Sequence, residues 1–548
     1  MPEILVDTFP FEVIDTILLF LSKKALRTFY SGLSQDSELR QLVLSRMYKE
    51  IRVEEPDQLV EAVNTNVRIG TMRWNYQEKH LSFFKEYPSL ASNIADVKLK
   101  VGAPYDYTIL EKIPLTNISH LEVTKVKSFK PSLVPRTLKL IELSFLAAAI
   151  PMRMDGWPPL LSSLKIVNYN NLSLIELPES LRELTCEDLY EAWDRFPSKL
   201  EKLTLHYVKE LPLERIDFPE LLEELRITRC SVYDIEKLVT RLPQKLKKIY
   251  FSEYIADKIS SLEFPDSVEN LSLKFCNLLG LEGFRFPKSL IKINLNRNDV
   301  KKMQNLQYPE SLRVLYLEEC EITTLDDFEF PSLLRELYLS YNPITSLTGV
   351  RFPELEVLDL TTFSATNELS MRNVRLPSTL KVLKANGLVI NDYVRSRFPP
   401  SLIELEVAVS GNWHSMRLPP SLQSFKLTVP LRKGKRRGKD KAEGEFNDNL
   451  SHLNFPTTLQ LLIIENGRSI DFDCRLPFLQ RLGLHDFEGL VKVPQSVNIL
   501  SVDVRHAHFL KGIDVSQKLE VCNICCLKGS FNEEIKNLKD YQNDHGLN

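Results

Sequence analysis

The residues with the most reactive chemistry in this chain are thiols and a run of cations. Cys522-Asn-Ile-Cys525-Cys526 sets three thiols close together, a spacing that could form half of a zinc site. A complete site needs a second ligand cluster. The other five cysteines are spread along the chain and the nine His are scattered, so no metal is expected. No Gly-rich phosphate loop, His-Glu-x-x-His helix or Gly-x-Ser-x-Gly elbow occurs, and no cofactor is expected. The cations lie in Arg432-Lys-Gly-Lys-Arg-Arg-Gly-Lys-Asp-Lys441, followed by Glu-Gly-Glu. Such a segment cannot build a core and reads as a disordered surface loop. Lys433, Lys435, Arg436, Arg437 and Lys439 could serve as a nuclear-localisation signal or polyanion contact; the plainer alternative is a solvated insertion.

The elements that must position any site are repeats. Phe286-Pro-Lys-Ser-Leu-Ile-Lys-Ile-Asn-Leu295, Tyr308-Pro-Glu-Ser-Leu-Arg-Val-Leu-Tyr-Leu317 and Phe330-Pro-Ser-Leu-Leu-Arg-Glu-Leu-Tyr-Leu339 share one phrase. Its Pro recurs at 243, 265, 287, 309, 331 and 353, a spacing of 22 residues. A fixed period in the twenties around Leu-x-Leu is the mark of a leucine-rich-repeat solenoid, an α/β fold whose curved parallel sheet forms the concave face. Leu-x-Leu-like triplets run from near residue 97 almost to the end, giving roughly 20 coils. Pro lacks an N–H and holds the residue before it extended, so it should turn the chain back into each strand. Pro420 to Pro456 breaks the period, and the excess is the basic segment at 430–449.

Repeat position also explains most cysteines. Cys230, Cys276 and Cys320 fall three residues after the Leu-x-Leu or Leu-x-Ile, the slot that Asn298 and Asn342 fill in other coils. That slot is buried and caps the adjoining turn. Cys186 and Cys522 replace core Leu, so these are core thiols of a reducing compartment. The residue between the two core Leu points out of the sheet. Reading it along the central coils gives Arg226, Tyr250, Ser272, Asn294, Tyr316, Tyr338, Asp359, Lys384 and Glu406. Tyr316 and Tyr338 should neighbour one another, flanked by Asn294 and Asp359. Beside them, Lys248, Lys274, Lys292, Glu318, Glu336 and Glu404 run from basic to acidic. Tyr is favoured at interfaces because it covers area at small entropy cost, so Tyr250, Asn294, Tyr316, Glu318, Glu336, Tyr338 and Asp359 are the candidate contacts for a protein partner. Cross-strand packing of a long sheet is the structural alternative.

Net charge is −3 and the pI about 6.4, which gives no reason to expect nucleic acid or an anionic membrane surface as partner. No apolar run is long enough to span a bilayer, and Met-Pro-Glu-Ile-Leu-Val-Asp lacks a basic secretory leader, so an intracellular setting, cytoplasmic or nuclear, is expected. Four regions are anticipated: a helical module at 1–51, a helical junction and N-terminal cap at 52–93, repeats at 94–528, and a C-terminal cap or tail at 529–548. In the module, Val13, Ile14, Ile17, Leu18 and Leu21 form an apolar stripe at helical spacing behind Phe9-Pro10.

Phe9-Pro-Phe-Glu-Val-Ile-Asp-Thr-Ile-Leu-Leu-Phe-Leu21 resembles the opening helix of an F-box: apolar, Pro, x, Glu, two aliphatics, two any, two aliphatics, any, aromatic, Leu. F-box followed by leucine-rich repeats is a recurrent layout. The resemblance implies a non-catalytic substrate receptor of an SCF ubiquitin ligase. Phe9, Pro10, Val13, Ile14, Ile17, Leu18 and Leu21 would meet the adaptor subunit, and through it cullin, while the repeats hold an unknown target protein. The alternative is a leucine-rich-repeat interaction scaffold with no link to a ligase. Bacterial leucine-rich-repeat ligases share the Leu-Pro repeats and use a Cys-x-Asp nucleophile, a tripeptide present as Cys186-Glu-Asp188. Cys186, however, takes a core strand position, which makes it inert packing.

Overall fold

The computed structural model describes residues 11–534 apart from 55–58, 150–152, 212–214, 231–234, 254–261, 302–305, 363–367, 371–373, 392–397, 410–415, 430–449, 473–475, 505–512, 516–518, 527–530 and scattered single or paired positions. It falls into two compact units, Met1–Lys248 and Ile249–Asn548. Each is built of leucine-rich-repeat coils whose successive strands pair in parallel.

The first unit opens with helices α1 (Phe11–Leu19), α2 (Lys23–Ser31) and α3 (Leu39–Met47). Ser22 caps α2 by accepting the Ala25 N–H at 3.2 Å. Leu39, Val43, Leu44 and Met47 of α3 are buried with Ile14 and Leu18 of α1, and Arg46 clasps Asp15 across the two helices, its Nε 2.6 Å from Oδ1.

Parallel pairing begins earlier than the repeat phrase suggests. The region 52–93, expected as a helical junction, does carry three short helices, at Val60–Thr65, Glu78–Glu86 and Pro88–Asn93. It also contributes strands. Here β1 (Glu50–Val53) pairs with β2 (Ile69–Asn75), which pairs with β3 (Ile94–Val101). The reason lies in alternation: Ile51-Arg-Val53 and Met72-Arg-Trp74 align with one another and occupy the Leu-x-Leu slot with other apolar residues. Trp74, almost fully buried, meets Phe84 at 5.3 Å between ring centroids and so seals the first coil. From there β4 (Ile118–Val126), β5 (Leu140–Phe145), β6 (Ser163–Val167), β7 (Glu183–Glu187), β8 (Lys202–His206) and β9 (Glu224–Thr228) follow in parallel order.

β10 (Lys248–Ser252) leads into the second unit, where β11 (Asn270–Lys274), β12 (Lys292–Asn294), β13 (Val314–Tyr316), β14 (Glu336–Tyr338) and β15 (Val357–Asp359) come next. Beyond a short β16 (Glu368–Ser370) lie β17 (Val382–Asn391), β18 (Glu404–Val409), β19 (Ser424–Thr428) and β20 (Leu461–Glu465). β11 to β15 pair in sequence, and β15 pairs directly with β17. The ladder continues through β22 (Arg481–His485), β24 (Ile499–Val504) and β26 (Val521–Cys526), while β21 (Arg468–Ile470), β23 (Glu488–Lys492) and β25 (Ile513–Asp514) form a second parallel sheet. β27 (Phe531–Glu534) turns antiparallel against β26 and covers a strand edge that would otherwise be open.

Each residue of the repeat phrase has a mechanical role. The amide of the Leu after Pro-x-x donates to the Pro carbonyl, Leu290 to Pro287 at 3.2 Å and Leu312 to Pro309 at 3.1 Å, closing a tight turn. That Leu and the two core residues behind it are fully buried, as in Leu290, Ile293 and Leu295. Each such side chain contributes about 1.5–3 kcal/mol by leaving water. The hydroxyl before the Leu ties coil to coil: Ser311 Oγ donates to the Leu290 carbonyl at 2.8 Å and Ser401 Oγ to that of Leu380 at 2.8 Å. The aromatic before Pro is often only half-buried. Phe286 and Tyr308 meet along the seam between coils, their ring centroids 5.2 Å apart and their planes tilted by 35°.

Candidate interaction surface

The open face of the sheet in the second unit is set by strand register. Parallel pairing aligns Asn294, Tyr316, Tyr338, Asp359, Lys384 and Glu406 as one column on successive strands, because each is the outward residue between two buried ones. The expected neighbours are therefore brought together. Tyr316 and Tyr338 stack face to face, with centroids 4.4 Å apart and planes 1° from parallel. Tyr250 lies on β10, ahead of the β11 and β12 coils and outside that pair.

Around the stack, each polar group has a definite partner. Lys292 places its ammonium 4.5 Å over the Tyr316 ring and 3.1 Å from the phenol oxygen. Tyr338 donates its hydroxyl to Glu336 at 3.0 Å. Burial first, and then the Glu336 carboxylate, push the Tyr338 phenol well above its ordinary range. Asn296, buried, donates to Glu318 Oε2 at 2.7 Å and accepts the Glu318 amide at 2.9 Å. Burial and the nearby Asp359 charge nonetheless raise the Glu318 carboxyl. Burial works against the charge of Lys384, but Glu404 at 2.8 Å and Glu406 at 3.4 Å outweigh it and hold that amine above its usual value.

The flanking residues expected as one basic-to-acidic column divide into two. Lys292, Val314 and Glu336 share a register line, whereas Lys274 and Glu318 lie beyond the central column on the other side. Neither the central role of Asn296 nor the reach of Lys292 was read from sequence. Both need the register, since their partners lie one coil away.

Behind this face the Asn/Cys slot is built as anticipated. Asn342 Oδ1 accepts the amides of Cys320 at 2.9 Å and Ile322 at 3.1 Å, while its Nδ2 donates to the carbonyls of Leu317 at 2.6 Å and Leu339 at 2.8 Å. Asn298 repeats the set two coils earlier, on Cys276 and Leu278. Cys320 fills the slot more simply, its Sγ 3.2 Å from the Leu295 carbonyl, with its thiol pushed up to about 12 by burial. The residue before the slot takes a left-handed backbone without being Gly: φ is 53° at Arg229, 58° at Phe275, 60° at Arg297, 53° at Glu319 and 61° at Tyr341. That kink ends each strand, and the slot hydrogen bonds hold it against its intrinsic cost.

The chain matches no protein-family model and no curated protein. Among solved structures it is similar to YopM from Yersinia enterocolitica WA-314, at 18% identity over 86% of this chain and 100% of that one, with a TM-score of 0.46. It is also similar to the circular leucine-rich-repeat protein CroV588, at 17% identity over 80% of this chain and 73% of that one, with a TM-score of 0.45. The internalin InlF of Listeria monocytogenes aligns at 16% identity over 61% of this chain and 93% of its own length, with a TM-score of 0.35.

The N-terminal stripe divides into two faces. Ile14 and Leu18 are buried, whereas Val13 and Ile17 are each 41% exposed and Leu21 is half-buried. Phe20, at 85% exposed, was not among the expected contacts, although its aromatic place in the helix pattern pointed to it. Phe9 and Pro10 lie outside the described residues, as do Lys433, Lys435, Arg436, Arg437 and Lys439, and Cys525 and Cys526 have no described side chain. Cys186 is fully buried in β7 and its thiol is driven far above the ordinary range by burial, the opposite of an activated nucleophile.

Proposed function

We propose that this chain is a non-catalytic substrate receptor of an SCF-type ubiquitin ligase, in which α1 docks on the adaptor subunit and the open repeat face holds a target protein. The repeat coils supply an extended protein-interaction scaffold. The ligase link rests on one observation: α1 buries Ile14 and Leu18 while Val13, Ile17 and, just past its end, Phe20 are left in water. A helix that only capped the coils would turn its apolar residues inward. Apolar side chains left together on one exposed face mark an interface awaiting its partner. Their types and spacing match the F-box pattern over Phe9 to Leu21.

Co-expression with the adaptor subunit tests the reading, beside a Val13→Asp/Ile17→Asp double variant. Both substitutions fall on exposed positions, so the variant should fold. The expected result is co-purification of the wild type with the adaptor and its loss in the variant. A folded wild type that leaves the adaptor behind would return the protein to the second reading, a repeat scaffold unconnected to a ligase.

A further inference from the structure

Most carboxylates on the open strand faces are neutralised within the chain. Glu187 pairs with Lys165 at 2.8 Å, Glu404 and Glu406 share Lys384, and Glu465 pairs with Lys426 at 2.8 Å. Among the described residues, Glu318, Glu336 and Asp359 have no ion-pair partner; Glu336 is bonded to Tyr338, Asp359 is the neighbour of Tyr338 in register, and Glu318 follows Tyr316 two residues along the chain. Glu318 and Glu336 are held by neutral donors, Asn296 and Tyr338, and Asp359 accepts the Thr361 amide at 2.9 Å. Lys274 acts on Glu318 only through space. Lys384, next in the column after Asp359, is drawn away to Glu404 and Glu406.

The stack itself shows which chemistry suits it. Its Tyr316 side already carries a cation, Lys292, at 4.5 Å. Its Tyr338 side adjoins the strand of Asp359, and among the described residues no cation lies over it. An electron-rich ring face with carboxylates nearby is complementary to a positive side chain.

We propose that this patch docks a basic segment of a partner polypeptide, an arginine or lysine side chain lying over Tyr338 with its charge held by Glu318 and Asp359. The proposal rests on the open repeat face being the target-binding surface, and is independent of the adaptor reading. A planar guanidinium suits the site better than an ammonium, because it can stack on the ring and still donate its N–H groups to carboxylate oxygens.

Fluorescence anisotropy of a labelled Gly-Arg repeat peptide against the full chain, at about 0.1 M salt so that diffuse attraction is screened, tests this. A Gly-Glu repeat peptide gives the charge-reversed control. Saturable binding of the basic peptide is expected. It should weaken at least about tenfold, some 1.4 kcal/mol, in Glu318→Gln/Asp359→Asn and in Tyr338→Ala. Tyr338→Phe, which keeps the ring, and Glu187→Gln, on a paired carboxylate of the first unit, should bind as the wild type does. Equal binding of both peptides, or full binding by Glu318→Gln/Asp359→Asn, would overturn the proposal. A gain in affinity on deleting 430–449 would assign the patch to the chain's own basic segment and overturn the partner reading. Adaptor co-purification from the same preparations keeps the two readings separate: loss of peptide binding with the adaptor retained fails only the patch.

Discussion

At the scale of single residues, the slot behind each strand sets how much a coil can lose. Asn342 satisfies two amides and two carbonyls that water cannot reach. Asn342→Ala strands all four, and a buried unsatisfied group costs about 1–3 kcal/mol, so a loss of roughly 3–4 kcal/mol is expected after partial relaxation. Asn342→Cys restores the arrangement found at Cys320 and should cost about half as much. Urea unfolding of the three proteins checks the order. Glu318 should behave in the opposite way. Its carboxyl is raised in the folded chain, so its contribution to stability is present below the ordinary glutamate range and is lost as pH rises through the raised value. At neutral pH the ionised group is a liability. Glu318→Gln, which keeps an acceptor for Asn296, should therefore be at least as stable as wild type at pH 7, by up to about 0.5 kcal/mol. The difference should close near pH 4, which paired thermal melts would show. A residue that costs stability and also spoils peptide binding when replaced is one held for its charge.

At the scale of elements, α1 has two faces with different tolerances. Ile14 is 1% exposed and Ile17 is 41% exposed, one helical turn apart. Ile14→Ala should destabilise the helical module by about 2–4 kcal/mol through lost burial and the cavity left behind. Ile17→Ala should stay within about 0.5 kcal/mol. Hydrogen exchange of the α1 and α3 amides in both variants measures this, and equal losses would mean that α1 is buried on both faces. The strands and their columns were legible in the sequence because Leu-x-Leu has a period and Pro fixes where each coil turns. The Tyr316–Tyr338 neighbours followed from counting alone. The earliest strands were not legible, since Met72-Arg-Trp74 carries no Pro phrase and uses a Trp where later coils use Leu. The left-handed kinks were hidden too. Arg297, Glu319 and Tyr341 are not residues that announce positive φ, and only the slot hydrogen bonds behind them make it tolerable.

At the scale of the molecule, stability in a repeat chain is the sum of each coil and its two contacts, so an insertion matters only where it interrupts a contact. The basic segment 430–449 interrupts none. On one side of it, β19 pairs with β20 from Ser424↔Leu461 to Thr428↔Glu465, and the Val429 amide still donates to the Glu465 carbonyl at 2.9 Å. On the other, Leu450, Leu453 and Phe455 are buried, and Thr458 Oγ1 donates to the Leu422 carbonyl at 2.8 Å as the hydroxyl ladder requires. The coil is thus closed before the insertion leaves and after it returns. Replacing 430–449 with a Gly-Ser linker about a quarter as long removes two doublings of loop length, worth roughly 1.2 kcal/mol of closure entropy in favour of the folded state. The expected thermal midpoint is unchanged or raised by no more than about 4 °C. A clear fall would show that the basic residues pack against the coils. An unchanged midpoint together with an altered distribution between cytoplasm and nucleus would mark the segment as one kept for its charge outside the fold.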